Sequence, residues 1–278
     1  MTQPCKKLYF SENQKSYIVP FFLETADSSQ KPLILVIPGG GYNHYGTKEQ
    51  DIIARKFNSL GFSSAILYYT LEPTKFPESL IDLAKGVMFL KKNAQEFNIS
   101  TKIILCGFSA GGHLAACLGC FWSSSLLQDF LSIPKEETSF IKPEKLCLCY
   151  PVVTSDKNFR HEGSIQALTK NLSLEEAEKI AEFSNKTYQN ETQLRQIVEE
   201  TVSIEKNINK NFPPTFIWHT KEDQAVPAEN TILLARALKE NNIDFEYHLF
   251  NKGLHGLSLA ENTPAEIWTT LFINWLGE

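Results

Sequence analysis

One segment, residues 102–121, constrains the fold of this 278-residue chain more than any other. A β-prone apolar run at 102–107 leads directly into Gly107-Phe108-Ser109-Ala110-Gly111, and an alanine-rich helical pattern follows from Ala110 to Phe121. A glycine-flanked serine between a strand and a helix is typical of a nucleophile elbow, in which the serine occupies a strained turn. The pattern predicts that Ser109 is a nucleophile; the alternative is a glycine-rich turn with an incidental serine.

Strand and helix patterns alternate along the rest of the chain. The short apolar run at 33–37, bounded by Pro and Gly, predicts a buried parallel strand, and further strands are predicted at 62–69, 102–107, 146–150, 215–219 and 245–250. Helical spacing predicts helices at about 51–60, 80–97, 110–121, 229–240 and 265–276. Such alternation implies βαβ crossovers. We therefore expect a single α/β domain over residues 1–278, a three-layer sandwich around a mainly parallel sheet.

Residues 154–211, from Thr154 to Asn211, interrupt this alternation. The segment is polar, has helical patterns and contains no strand candidate. Ser173-Leu174-Glu175-Glu176 fits a capping box, which predicts that a helix begins there. Because the segment falls between two predicted strands, it is a helical insertion that is either a cap over a site or a surface elaboration.

Composition excludes several classes of partner. The net charge is −5, from 32 acidic and 27 basic residues, and no block of Lys or Arg could neutralise a row of phosphates, so we expect no nucleic-acid partner. No uncharged apolar run reaches the length of a membrane span and no secretory signal is evident, which predicts a cytoplasmic protein without a membrane partner. The six cysteines are then expected to be free thiols.

A serine nucleophile needs a base, and the base needs an orienting carboxylate. His255 lies in a glycine-flanked loop after the last predicted strand and is the predicted base. Asp223 follows the strand at 215–219 and is the predicted acid, with Glu222 and Asp156 as alternatives. The order Ser109, Asp223, His255 is that of α/β-hydrolases. The other histidines have structural explanations, although His44 and His161 could face a pocket. These histidines are His44, His113, His161, His219 and His248.

Hydrolysis through a tetrahedral intermediate also needs backbone amides that stabilise the oxyanion. Ala110, which follows the nucleophile, supplies one amide, and the run Gly39-Gly40-Gly41 after the first buried strand can supply the second. Cys117-x-x-Cys120 and Cys147-x-Cys149 resemble metal-ligand spacings, but they fall inside a predicted helix and a predicted strand. We expect no metal and no cofactor.

With these residues assembled, the chain resembles the acetyl-xylan esterase-like branch of the α/β-hydrolases, also called BD-FAE or xylan esterase-like. The resemblance is carried by four segments, at 36–42, 106–115, 213–220 with Asp223, and 253–256. It implies the α/β-hydrolase fold and hydrolysis of short acyl esters, especially acetyl groups on sugars, by Ser109, Asp223 and His255. By position, the amides of Gly39 and Gly40 would join Ala110 in the oxyanion hole, with Gly41 as an alternative.

We therefore expect a serine carboxylesterase that acts on small-molecule acetyl esters through an acyl-enzyme. Two other functions stay open. The same residues could cleave amides, as in an arylformamidase or a small peptidase, and a hydrolase-like fold could bind a ligand without catalysis. The oligomeric state is not determined by these patterns, and a homodimer is one option.

Overall fold

An eight-stranded sheet lies at the centre of the described part of the chain. The computed structural model describes residues 7–11, 14–25, 28–73, 75–184 and 186–277. The strand order is β1-β2-β4-β3-β5-β6-β7-β8. Strands β3 to β8 run parallel, whereas β2 is antiparallel to both β1 and β4. The strands are β1 (Leu8–Tyr9), β2 (Tyr17–Phe21), β3 (Leu33–Ile37), β4 (Ser64–Tyr68), β5 (Ile103–Phe108), β6 (Lys145–Cys149), β7 (Thr215–Thr220) and β8 (Phe245–Phe250).

Helices cover both faces of this sheet. Successive side chains of a strand point to opposite faces, and β3 is buried on both. Its Leu35 packs in a cluster with residues of α2 and α3, whereas its Val36 packs with residues of α1 and α9. The helices are α1 (Asp51–Ser59), α2 (Glu78–Lys92), α3 (Ala110–Phe121), α4 (Ser125–Leu131), α5 (Glu162–Thr169), α6 (Leu174–Glu182), α7 (Glu191–Thr201), α8 (Glu229–Glu240) and α9 (Trp268–Leu276). The predicted three-layer α/β sandwich is confirmed.

The sequence patterns missed the antiparallel edge of the sheet. Strand β1 has two residues, and β2 contains Pro20, which lacks a backbone N–H and argues against a central strand. β1 pairs only with Tyr17 and Ile18, so among the described residues Pro20 has no partner on the β1 side of the strand, although Ala65 of β4 lies opposite it on the other side. The predicted last helix is divided into a 3₁₀ turn, Pro264–Ile267, and α9.

The insertion lies between β6 and β7 and contains α5, α6 and α7. The predicted capping box is confirmed: Ser173 Oγ accepts from the backbone N–H of Glu176, and the Glu176 carboxylate accepts from the N–H of Ser173. This pair fixes the start of α6. That the insertion is either a cap over a site or a surface elaboration stays a prediction.

Within the described residues, no single helix combines the length and the apolar character that a bilayer crossing requires. Helices α3 and α4 reach both criteria only when they are joined, and the chain bends by 109° between them. All residues of α3 are buried inside the fold.

Candidate active site

Ser109 lies in the sharp turn between β5 and α3, where the carboxyl end of a central strand meets a helix. Its φ is +52°, a left-handed conformation that L-residues with a side chain adopt only at a cost. The flanking glycines are required by close packing: a Cβ on Gly107 would lie 2.4 Å from the Gly111 carbonyl oxygen, and one on Gly111 would lie 2.1 Å from that of Ile37. The segment therefore has the geometry of a nucleophile elbow.

The three residues that the sequence predicted as a catalytic set are joined by hydrogen bonds. Ser109 Oγ lies 2.8 Å from His255 Nε2, and His255 Nδ1 lies 2.6 Å from Asp223 Oδ2. A carboxylate only accepts, so Nδ1 carries the proton and neutral Nε2 can accept from the serine hydroxyl. The three side chains come from the loops that follow β5, β7 and β8, at one edge of the parallel strands.

Asp223 is buried and held by several donors. Its Oδ1 accepts from the backbone N–H groups of Ala225, at 3.0 Å, and Val226, at 2.9 Å. Burial would raise the pKa of Asp223, but hydrogen bonds from His219 and His255 hold that pKa well below the usual carboxyl range. This carboxylate is therefore charged at neutral pH.

The two alternative acids have other partners. Glu222 accepts from the backbone N–H of Gly253 at 3.0 Å, and Asp156 accepts from the backbone and side chain of Asn158. Neither contacts His255 in the described structure.

The remaining histidines are separated by their surroundings. His113 is buried in α3, where it contacts the Tyr42 hydroxyl and the Val202 carbonyl, both at 2.7 Å, and burial lowers its pKa to about 4. His248 pairs with Glu246 on β8. These two have structural roles, whereas His44 and His161 line the cavity above Ser109.

His219, which was predicted to have only a structural role, contacts the acid directly. Its Nε2 lies 3.1 Å from Asp223 Oδ2 and 2.9 Å from the Val226 carbonyl oxygen, and the residue has no exposed surface. Both partners are acceptors, so Nε2 carries the proton. One sequence feature could have indicated this contact: His219 lies at the end of a predicted strand, four residues before Asp223.

The glycine run after β3 divides into two parts with different roles. The N–H of Gly39 donates to Glu49 Oε2 at 2.8 Å. A backbone amide has one proton, so this N–H is already paired, and the predicted role of Gly39 as an oxyanion donor is wrong. Gly40 and Gly41 line the cavity, and within the described structure neither their amides nor that of Ala110 has a hydrogen-bond acceptor.

Glu49 is a buried carboxyl group that the sequence analysis missed. Besides Gly39, it accepts from the Tyr150 hydroxyl at 2.7 Å, and the Tyr150 oxygen accepts from the Ser258 N–H at 3.0 Å. Burial raises the pKa of Glu49 although these hydrogen bonds oppose the rise. The network joins the glycine loop to the loop that carries His255. Nothing in the local sequence distinguished Glu49, which lies in a polar segment that also contains Asp51.

A cavity of about 520 Å³ opens above the Ser109–His255 pair. The loop between β3 and α1 forms most of its wall, His161 extends into it from the insertion, and the residues after β8 close another side. The lining residues are Gly40, Gly41, Asn43, His44, Tyr45, Gly46, Thr47, Lys48, Glu49, Ser109, His161, His255 and Gly256.

In the described part of the chain, one group of side chains has the spacing to hold a metal ion. Cys106, Cys147 and Cys149 have sulfur atoms within 4.8 Å of one another and are buried between β5 and β6. None of them lines the cavity. The five cysteines that the structure describes are free thiols, as predicted, and Cys5 lies outside the described residues.

The BD-FAE family model matches residues 20–238. The chain belongs to the BD-FAE family. The predicted resemblance and the predicted α/β-hydrolase fold are thereby confirmed.

Relatives of this BD-FAE protein include enzymes named for xylan. It is 32% identical over 248 residues to an endo-1,4-beta-xylanase B of Butyrivibrio fibrisolvens, an alignment that covers 87% of this chain and 35% of that protein. It is 22% identical over 267 residues to an acetylxylan esterase of Xylanibacter ruminicola, covering 93% of this chain and 47% of that one. The BD-FAE chain thus spans about a third to a half of the length of these two relatives.

A solved structure matches over nearly the full length of both chains. The acetyl ester-xyloside bifunctional hydrolase of Caldicellulosiruptor lactoaceticus is 32% identical and has a TM-score of 0.80. The alignment covers 100% of the BD-FAE chain and 97% of that chain.

Proposed function

We propose that this protein is a serine carboxylesterase that hydrolyses short acyl esters, chiefly acetyl esters of sugars, through an acyl-enzyme. One observation carries the proposal: the hydrogen-bonded series Ser109–His255–Asp223 opens into a cavity whose wall includes backbone amides that have no acceptor among the described residues. A nucleophile, its base, an orienting acid and free donors are the groups that acyl transfer requires.

In the proposed first step, Ser109 Oγ attacks the acyl carbon while His255 Nε2 takes the hydroxyl proton. Asp223 stabilises the imidazolium, and the tetrahedral intermediate collapses as His255 gives the proton to the departing alcohol oxygen. Water then repeats the sequence on the acyl-enzyme, which releases the carboxylic acid and restores the Ser109 hydroxyl. No cofactor is needed for either step.

The amides of Gly40 and Ala110 are the proposed oxyanion donors, and Gly41 is the candidate for a third. Ala110 is the first residue of α3, so its N–H is among those that a helix leaves without an internal partner. The Gly39 N–H, in the peptide before the one that carries the Gly40 N–H, donates to Glu49, and the Gly39 carbonyl accepts from the Gly46 N–H at 3.0 Å. These donors are thus ordered before substrate binds, which is the condition for strong electrostatic stabilisation.

The choice of acetyl esters of sugars rests on the names of the relatives and on the polar side chains among the lining residues, such as Asn43, His44 and Thr47. The solved neighbour is also named for xyloside hydrolysis. Glycoside hydrolysis usually requires two carboxyl groups that flank the scissile bond. Among the lining residues only Glu49 has a carboxyl group, and it already accepts two hydrogen bonds. The ester activity is therefore the one that this geometry favours.

The test replaces the nucleophile. We expect Ser109→Ala to lower the rate of 4-nitrophenyl acetate hydrolysis by roughly six orders of magnitude. The wild-type chain should gain the mass of one phosphonyl group from a fluorophosphonate probe, and Ser109→Ala should gain none. Ser139→Ala, at an exposed serine outside the cavity, is the matched control and should react like the wild type. An active Ser109→Ala protein of native fold would contradict the mechanism.

A substrate panel tests the substrate class separately. We expect turnover of acetylated xylose and aryl acetates, and little turnover of formyl amides, aminoacyl amides or aryl xylosides. A preference for amides would replace the ester assignment and leave the nucleophile unchanged. The cytoplasmic location and the absence of nucleic-acid and membrane partners stay predictions from composition.

A further inference from the structure

His161, a residue of the insertion, lines the active-site cavity and has no part in the mechanism above. It shares the cavity wall with Ser109, His255 and Gly41. Its Cε1 lies 3.7 Å from the position that a Cβ on Gly41 would take. Burial lowers the pKa of His161, and the charge of His255 lowers it further, whereas Asp223 opposes this. The ring is therefore close to the reacting groups and neutral near pH 7.

The first turn of α5 fixes the tautomer of this ring. His161 is the N-cap residue, and its Nδ1 lies 3.2 Å from the backbone N–H of Ser164 and 2.8 Å from Ser164 Oγ. A backbone N–H can only donate, so Nδ1 must accept, and neutral His161 carries its proton on Nε2. Within the described structure this Nε2–H has no acceptor.

The chain on either side of His161 is anchored. The Phe159 carbonyl accepts from the Asn230 side chain at 2.8 Å, which joins the segment to α8. The Arg160 guanidinium pairs with Glu162, at 2.6 Å, and with Glu199 of α7, at 3.5 Å, and its side chain is 12% exposed. A donor held this way loses little freedom when substrate binds, so it can contribute to binding.

Under the proposed function, the alcohol part of the substrate is the part to which this N–H donor can bind. An acetyl group has a single polar atom beyond the scissile bond, its carbonyl oxygen, which the amides of Gly40 and Ala110 serve. We propose that His161 Nε2–H donates a hydrogen bond to a hydroxyl or ring oxygen of the alcohol part, a sugar ring. His161 is then a specificity-determining residue, and the insertion acts as a wall of the alcohol-binding side. This inference rests on the esterase assignment above.

Two substitutions separate the two ring nitrogens of His161. His161→Asn places a side-chain oxygen near Nδ1 and is a good N-cap, so it keeps the start of α5 and removes the Nε2 donor. His161→Gln places an amide N–H near Nε2 and gives up the cap. Each variant is assayed on 4-nitrophenyl acetate and on acetylated xylose, which carry the same acyl group on different alcohols, and its melting temperature is measured.

We expect His161→Asn to melt like the wild type, to hydrolyse 4-nitrophenyl acetate within about twofold, and to lose about tenfold in kcat/KM on acetylated xylose, chiefly through KM. His161→Gln should melt lower and keep more of the sugar-ester activity than His161→Asn. An equal loss on both substrates, or no loss on either, would overturn the proposal. Failure of the esterase assignment is distinct, because the wild type would then either not hydrolyse 4-nitrophenyl acetate and acetylated xylose or prefer amides in the substrate panel.

Discussion

His219 donates to Asp223 Oδ2 at 3.1 Å, the same oxygen that accepts from His255 at 2.6 Å. With the two backbone N–H groups on Oδ1, the carboxylate accepts four hydrogen bonds in a site closed to solvent. The Asp223 carboxylate thus interacts with two histidines, the base His255 and the fully buried His219. We infer that His219 is a positioning residue that sets how strongly Asp223 attracts the His255 imidazolium.

We predict that His219→Leu changes the pH dependence of the esterase. Without the His219 donor, the Asp223 carboxylate interacts more strongly with protonated His255, so the base holds its proton to higher pH. The acid limb of kcat/KM should move upward by roughly half to one pH unit, because one pH unit corresponds to about 1.36 kcal/mol and only part of the roughly 1.5–3 kcal/mol of a hydrogen bond to a charge passes to the Asp223–His255 contact.

The matched variant is His219→Gln, whose side-chain N–H can still reach the carboxylate. It should keep the acid limb close to that of the wild type. If both variants lose activity equally and the limb does not move in either, His219 only fills space in the core.

The lowered pKa of Asp223 predicts a pH-dependent contribution to stability. A carboxyl group whose pKa is lower in the folded than in the unfolded state stabilises the fold above its unfolded pKa, here the ordinary value of 3.8. That contribution is lost as the pH falls through the folded value. The difference in unfolding free energy between wild type and Asp223→Asn should therefore shrink below about pH 4, as measured by urea denaturation at several pH values.

The same Asp223→Asn variant should lose roughly 10⁴-fold in kcat at neutral pH, because an amide can stabilise the wrong tautomer of the base. A difference in unfolding free energy that stays constant from neutral to acidic pH would mean that the carboxylate gains nothing from its four donors.

Periodicity was sufficient to predict the parallel part of the fold. Strands buried on both faces are continuous apolar runs, so β3 and β5 were evident, and the helix after Ser109 followed from its alanine content. Strand β2 was missed because its Pro20 is tolerated only through its place next to a two-residue edge strand. That information lies in the pairing of distant segments and not in the local pattern.

The site was predictable where a residue type has one plausible use. A serine in an elbow, a histidine in a late loop and an aspartate after a strand follow from chain order. The hydrogen-bond state of a glycine amide does not, so Gly39 and Gly40 could not be distinguished without Glu49. The Nε2 proton of His161 likewise depends on a cap that only the folded α5 provides.

Glu49 should affect turnover more than substrate binding. In Glu49→Gln, Gly39 keeps an acceptor, but the charge that strengthens its hydrogen bond is lost, and the Tyr150 hydroxyl loses its acceptor. The Pro38–Gly39 peptide should then be less well ordered, and with it the adjacent Gly40 amide. We expect kcat for 4-nitrophenyl acetate to fall about tenfold, less than the loss of a whole oxyanion donor, while KM changes little.

The control for Glu49 is Tyr150→Phe, which removes the other hydrogen bond of this carboxylate and leaves the Gly39 contact intact. It should lower kcat less than Glu49→Gln does. A larger loss in Tyr150→Phe would instead assign the effect to the Ser258 N–H, whose acceptor is the Tyr150 oxygen.

The substitutions Gly39→Ala and Gly41→Ala should differ in their effect on the reactivity of Ser109, although the two glycines lie in one motif. A Cβ on Gly39 would lie 2.7 Å from the Phe108 carbonyl oxygen and 2.8 Å from Ser109 Cβ, so it must displace the nucleophile. On Gly41 the nearest atom would be 3.7 Å away, and the φ of +64° is a left-handed conformation that costs about 1–2 kcal/mol. Gly39→Ala should therefore react with the fluorophosphonate probe far more slowly than Gly41→Ala, and the two labelling rates, measured on folded protein, check this. Rapid labelling of Gly39→Ala would contradict the close approach of the glycine loop to Ser109.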